Sequence, residues 1–310
     1  MSLSRHQWLG LYLRGVAMGA ADLVPGASGG TIALVTGIYD RFISAIASVG
    51  IDALRMVLSG KIKDAWAHVD GNFLVAVGAG ILSSVVALAS LLNWLLLNYP
   101  LPLWALFCGL ILSSAVHLFY TSCIDWTGRE YALWLTGAGV ATVIALMQAT
   151  QLPVGPISVF FAGAIAISAM LLPGISGSFL LLILGMYQPV IGALVNVDLV
   201  TVGLFALGCL CGLLVFSRLL KALLARAQRA TMAILYGFLL GSVIMLWPWQ
   251  QPISSVIDRN GENRVVQSMP VSPQTYEELV GEPMLLLCLL AFTLGAGLVS
   301  LLLSVGSVEH

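Results

Sequence analysis

The sequence predicts an all-α integral membrane protein with an inverted-topology repeat, each half a re-entrant or short membrane helical hairpin followed by three transmembrane helices. Three observations carry that expectation. With 59% hydrophobic residues, 9% charged residues and a mean hydropathy of +1.01, the chain is too apolar for a soluble domain of 310 residues. Its apolar runs are long and continuous, without the alternation of an outer-membrane barrel. Finally, residues 20–46 recur in altered form at 168–194. Pro25, Gly26, Ser28, Gly29, Gly37 and Tyr39 match Pro173, Gly174, Ser176, Gly177, Gly185 and Tyr187, always 148 positions apart.

In chain order, the first repeat (1–150) opens with a hairpin over 8–50, its arms 8–22 and 29–50 meeting at Pro25-Gly26. Spans near 72–97, 101–120 and 131–150 follow, each close to the roughly 20 residues that cross a bilayer. The second repeat (151–310) has a hairpin over 156–196, with arms 156–171 and 177–196 around Pro173-Gly174. Spans near 199–217, 230–249 and 283–304 complete it, with a loop at 250–282 between the last two. Lipid cannot satisfy backbone groups freed by a Pro-Gly break, so paired interruptions in two halves of a membrane protein point to a transport site. Arg14 and Asp22 interrupt the first apolar stretch, which argues against a cleavable signal peptide.

Lys and Arg set the expected orientation, because cytoplasmic loops carry an excess of them. Arg5, Arg14, Arg41, Arg55, Lys61 and Lys63 bracket the first hairpin, so both its ends face the cytoplasm. Threading onward puts Arg129 and the loop holding Arg218, Lys221, Arg226 and Arg229 on the same side. Only Arg259 and Arg264 fall outside, in loop 250–282 beside five acidic residues, a split of eleven to two. Both termini are therefore expected in the cytoplasm. A hairpin plus three spans crosses an odd number of times, which inverts the second half and brings the hairpin tips toward the midplane from opposite sides.

Other punctuation has plainer readings. Gly15/Gly19, Gly208/Gly212 and Gly237/Gly241 let helix backbones approach closely, more as intramolecular packing than as a dimer seam. Trp94, Trp104, Trp126, Trp134, Trp247 and Trp249 sit at span ends as interfacial anchors. The five cysteines show no metal-ligand spacing, and no metal is expected.

The turns themselves suit an anion. After Pro25-Gly26 a new helix begins, and the N–H groups of Gly29, Gly30, Thr31 and Ile32 are expected to lack intrahelical partners. Ser28 is placed to cap that helix, and Gly29 and Gly30 leave its backbone open to a ligand. Ser176, Gly177 and Ser178 repeat the pattern after Pro173-Gly174. Two helix N-termini converging at the midplane would favour a phosphate or carboxylate, with hydroxyls of Ser28, Thr31, Ser176 and Ser178 completing the shell. Arg14 and Arg41 are expected near the cytoplasmic mouth, to receive a headgroup or to anchor the chain. Asp22, the one acid deep in a hairpin, has two readings: a carrier of a coupling ion, proton or sodium, or a cap on the turn's N–H groups. The second copy has Met170 in its place.

The strings GVAMGAADLVPGASGGTIALVTGIYDRF and AMLLPGISGSFLLLILGMY resemble the two signature segments of the polyprenyl-phosphate transporter family, intact and in order, with a match spanning almost the whole chain. The resemblance implies a flippase of the bacterial inner membrane that returns undecaprenyl phosphate, the carrier lipid of cell-wall glycan synthesis, from the outer to the inner leaflet. It implies no catalytic residues, no cofactor and no nucleic-acid partner, and leaves room for a homo-oligomer. By motif position it carries over Asp22, Pro25, Gly26, Ser28, Gly29, Gly30 and Thr31, then Pro173, Gly174, Ser176, Gly177 and Ser178. One rival is the undecaprenyl-pyrophosphate phosphatase family, which also has a PG-Ser turn. That family pairs glutamates with an arginine beside the serine, whereas all six glutamates here lie outside the predicted membrane core and neither PG motif holds an arginine. A small-anion secondary transporter is the other alternative.

Overall fold

The computed structural model describes residues 4–24, 28–147, 150, 152–257 and 263–306. The first half comprises α1 (Arg5–Asp22), α2 (Gly29–Val35), α3 (Tyr39–Ser48), α4 (Ile51–Leu58), α5 (Ile62–His68), α6 (Gly71–Asn98), α7 (Pro100–Ser122) and α8 (Gly128–Leu146). The second comprises α9 (Pro156–Leu171), α10 (Gly177–Ile183), α11 (Tyr187–Val195), α12 (Leu199–Gly241), strands β1 (Gln250–Ile257) and β2 (Asn263–Pro270), α13 (Pro273–Leu279) and α14 (Leu285–Gly306). The chain is mostly helical, and its one sheet among the described residues is the antiparallel pair β1–β2.

The six predicted spans fall on α6, α7, α8, the two ends of α12, and α14. By length and apolarity, α6, α7 and α12 suffice to cross a membrane, and α10 with α11 would make a fourth if their 108° bend joined one span. The helix α12 is itself broken, because Ala227 has non-helical dihedrals (φ −145°, ψ 53°). Gly212 and Phe238, about 39 Å apart along a straight helix, line one groove, so the chain doubles back at Ala227. The expected loop 218–229 is thus helix carried into a one-residue turn.

Two further expectations are corrected, and the connection between the first hairpin and α6 proves helical. Each hairpin's second arm, expected as one helix over 29–50 or 177–196, is two: α2 gives way to α3 at Gly37 (φ +72°), and α10 to α11 at Gly185 (φ +69°). Glycine ends a helix at such a left-handed position without the steric cost that other residues bear. The segment 51–70 forms the short helices α4 and α5. The described residues of loop 250–282 form β1, β2 and α13 as a cap, to which Trp247 Nε1 donates at Val271 O (2.8 Å), while Trp249 Nε1 donates to Pro283 O (2.9 Å). Those two tryptophans hold the cap down, with ring centroids 5.5 Å apart, where lipid anchoring was expected.

Small residues set the helix packing as anticipated. Gly15 and Gly19 of α1 lie on Val77 and Ile81 of α6, and Gly208 and Gly212 of α12 on Phe160 and Ala164 of α9. Gly237 and Gly241 of α12 lie on Trp134 and Ala138 of α8, and Gly109 and Gly295 join α7 to α14. At each position an added Cβ would run into the facing backbone, so all three predicted glycine pairs serve contacts within the chain. In the three predicted glycine pairs the residue numbers rise together, which makes those helix pairs parallel.

The basic segments gather at one end. Arg41 donates to both carboxylate oxygens of Asp70 (2.6 and 3.2 Å) and lies 4.5 Å from the centre of the Phe73 ring. Arg218 donates to Val49 O (3.1 Å), Lys221 to Ser48 Oγ (3.4 Å) and Gln228 to Asp40 Oδ2 (3.2 Å), tying the middle of α12 to α3. The 28 residues of α6 separate this end from the cap by about 42 Å. Beneath the cap is a cavity of about 390 Å³, lined among others by Trp104, Phe179, Leu182, Met245 and Tyr276.

Candidate functional site

The first hairpin turns between Asp22, the last residue of α1, and Ser28, the N-cap of α2. Ser28 is extended (φ −141°, ψ 135°), so its Oγ reaches back to accept the Gly30 N–H at 3.2 Å while its carbonyl accepts Thr31 N–H at 2.9 Å. The Gly29 N–H donates to Asp22 Oδ1 at 2.7 Å. A Cβ on Gly29 would lie 2.6 Å from Asp22 Oδ2, so glycine is what admits the carboxylate to the helix terminus. The N–H groups of Gly29, Gly30 and Thr31, expected to be orphans, therefore have acceptors. A carboxylate and a serine already occupy the place an anion would take. Pro25 and Gly26 lie outside the described residues.

The second tip differs. Gly174 (φ +82°) and Pro173 are buried, and Ser176 opens α10 without capping it, its Oγ lying 2.8 Å from that of Ser178. The expected repetition of the Ser28 design is absent at Ser176, because no acid stands where Asp22 does and the serine turns to its neighbour. Gly177 packs close to α9: a Cβ there would lie 2.5 Å from Ala166 O.

The two tips meet, and they do so through side chains of the first half and backbone of the second. Ser28 Oγ donates to Met170 O (3.3 Å), Tyr39 Oη to Leu171 O (2.8 Å), and the Gly174 N–H donates to Thr31 Oγ1 (2.9 Å). Met170 and Leu171 end α9, where the last carbonyls have no intrahelical donor, so the first half supplies what that terminus lacks. Ser28, Thr31 and Tyr39 are each 1% exposed, which places these bonds in a dry seam. Such bonds contribute about 0.5–1.5 kcal/mol each, and losing one partner leaves the other buried and unpaired at a larger cost.

Of the anticipated site residues, Ser28, Gly30 and Thr31 are brought against the second tip at Met170 and Gly174, Asp22 and Gly29 bond to each other within the first tip, and Pro173, Ser176 and Gly177 are buried in the second. Ser178 is exposed beside them. Arg14 lies two turns before Asp22 on α1, and Arg41 sits at the basic end with Asp70, so neither stands at the seam. Sequence reasoning missed Tyr39, although Tyr39 and Tyr187 were both among the repeated residues. It also missed Ser242, which is buried against Gly174. Among the described residues, no group of three or more His, Cys, Asp or Glu could hold a metal ion.

A family profile described as undecaprenyl phosphate translocase-like matches residues 18–264, the stretch that contains both tips. The chain belongs to that family. It is similar to the "Polyprenyl-phosphate transporter" of Vibrio cholerae serotype O1, with 40% identity over 290 residues, 93% of this chain and 94% of that protein. It is also similar to the "Polyprenyl-phosphate transporter" of Staphylococcus aureus, with 35% identity over 266 residues, 79% of this chain and 88% of that protein. No solved structure matches it. Family membership together with several long apolar helices makes this a multi-pass membrane protein.

Proposed function

We propose that the chain carries polyprenyl phosphate, undecaprenyl phosphate above all, from the outer to the inner leaflet of the bacterial cytoplasmic membrane by alternating access. The phosphate would be held between the two hairpin tips. The observation that carries this reading is the seam itself: two Pro-Gly tips 148 positions apart in sequence meet through Ser28, Thr31 and Tyr39. Relatives named for polyprenyl phosphate supply the substrate class.

The packing supports an inverted repeat with halves 1–150 and 151–310. α1 on α6 is mirrored by α9 on the first arm of α12, and α7 on α14 by the second arm of α12 on α8. The second span of each half thus lies on the third span of the other, the pattern expected of two halves related by a two-fold axis.

Asp22 gives this site its chemistry. Its carboxylate acts as a resident anion on the Gly29 N–H, and a headgroup phosphate would compete for that donor and for Gly30 N–H. A proton or sodium ion that draws the carboxylate away would open the α2 terminus to phosphate, which couples ion binding to lipid binding. Ser28, Thr31, Ser176 and Ser178 would add hydroxyl donors, and the N-termini of α2 and α10 their partial positive charge. Arg14 and Arg41 would attract the headgroup at the cytoplasmic mouth.

Proteoliposomes holding the full chain and a fluorescent undecaprenyl phosphate are expected to exchange the probe between leaflets faster than protein-free vesicles, with excess unlabelled lipid slowing the exchange. Equal rates would reject the reading. Orientation is tested in intact cells with a membrane-impermeant thiol reagent. Gln274→Cys in the cap should be labelled and Ser59→Cys, between α4 and α5, protected; the opposite pattern would reverse the topology.

A further inference from the structure

Beside the second tip, α9, α10 and α12 enclose an apolar groove of about 500 Å³. Phe160, Phe161 and Ile165 of α9 and Val215 and Phe216 of α12 form its long walls, and Phe238 closes its floor. Phe161, Ile165 and Val215 are exposed along the rim, whereas Leu172 and Ile175 at the inner end flank Pro173-Gly174. The groove therefore runs from the outer surface of the helix bundle to within one residue of the Gly174 N–H that donates to Thr31. The one hydroxyl among its lining residues, on Ser168, donates to Ala164 O (2.7 Å) and faces Gly212 O (3.5 Å), so its proton is already committed to the main chain.

We propose that this groove is the tail subsite of the transporter, holding the phosphate-proximal isoprene units while the phosphate lies between the tips. The proposal rests on the reading of the tips as the headgroup site. Its occupant follows from continuity and from chemistry. A chain leaving a phosphate at Gly174 meets Ile175 and Leu172 first and then walls and a floor that together hold four phenylalanines. A prenyl chain presents flat double bonds and methyl branches to those rings, and it is stiffer than a saturated acyl chain, so less conformational freedom is lost on binding.

The test uses the full-length protein in nanodiscs with a photoactivatable polyprenyl phosphate whose reactive group is on the prenyl chain near the phosphate. Crosslinks are expected on α9 and on α12 around Val215. Unlabelled polyprenyl phosphate should suppress them, free polyprenol of equal length should do so more weakly, and a saturated alkyl phosphate of equal length should fail to. Val215→Trp, which fills the rim, should weaken competition by long-chain polyprenyl phosphate roughly tenfold, the lower part of the range for overpacking a tight site. Val86→Trp, on the exposed face of α6, should leave it unchanged. Crosslinks elsewhere, equal suppression by the saturated phosphate, or equal effects of the two tryptophans would overturn the proposal, because the groove would then be ordinary lipid-facing surface. If polyprenol competes as well as its phosphate while labelling stays in the groove, the tail subsite stands and the headgroup reading of the tips falls.

Discussion

Gly174→Val should lower thermal stability sharply and abolish leaflet exchange. Gly174 sits at φ +82°, a region that costs a residue with a side chain about 1–2 kcal/mol. A Cβ there would also lie 2.5 Å from Ser242 Oγ and 3.0 Å from Phe238 O, and overpacking of that kind adds about 1–3 kcal/mol. Together these give roughly 2–5 kcal/mol, at the residue whose N–H joins the two tips. Two controls separate the contributions. Gly37→Ala has the same left-handed strain (φ +72°) but open space around the added carbon, so only the first cost applies. Gly78→Val on α6 meets nothing within 4 Å and should leave the unfolding midpoint close to wild type. An unchanged midpoint and unchanged exchange in Gly174→Val would contradict the seam as the working centre.

Asp22→Asn should separate exchange from its driving force. Asparagine keeps an oxygen that can accept the Gly29 N–H, so α2 stays capped and the lipid still equilibrates between leaflets. It cannot take up a proton, so accumulation against an imposed pH gradient should fall to the level of vesicles without a gradient. Measuring exchange by both forms, with and without the gradient, decides the matter. If wild type and Asp22→Asn respond to the gradient alike, Asp22 is a cap only and the proton is not its ligand. A response to sodium alone would point to the other ion.

Much of this architecture was legible because membrane burial forces local regularity. The ends of α1 at Asp22 and α2 at Gly29 follow from the Pro-Gly break, and the offset of 148 carries α2 onto α10 and the start of α3 onto that of α11. The three glycine pairs announced helix contacts because close backbone approach needs no more than the missing side chain. Other features are set by partners distant in sequence. Tyr39 bonds to Leu171 across 132 residues, which no local pattern encodes. The bends at Gly37 and Gly185 were written in the repeated Gly-x-Tyr but read as part of the repeat, since the apolar run continues past them. The cap at 250–282 shows mainly as a charge imbalance in sequence. Its fold depends on the indole N–H groups of Trp247 and Trp249 finding the carbonyls of Val271 and Pro283. At the first tip, the chain's return brings Gly29 to Asp22, as the capping reading of that acid expected, and fills the helix terminus that was expected to be vacant beside it.

The seam between the tips also sets unequal tolerance to substitution in the two copies of the repeat. All three of its hydrogen bonds join a first-copy side chain to a second-copy main-chain group. A carbonyl at position 170 or 171 is present whatever side chain the residue carries, whereas the hydroxyls of Ser28, Thr31 and Tyr39 have no substitute in the main chain. The second copy differs from the first at two of these positions: Met170 stands opposite Asp22 and Phe179 opposite Thr31, with the junction intact. A pair of identical halves would carry these hydroxyls in duplicate. This chain keeps Ser176 and Tyr187 at the positions of Ser28 and Tyr39, and has given only the position of Thr31 over to hydrocarbon, at Phe179.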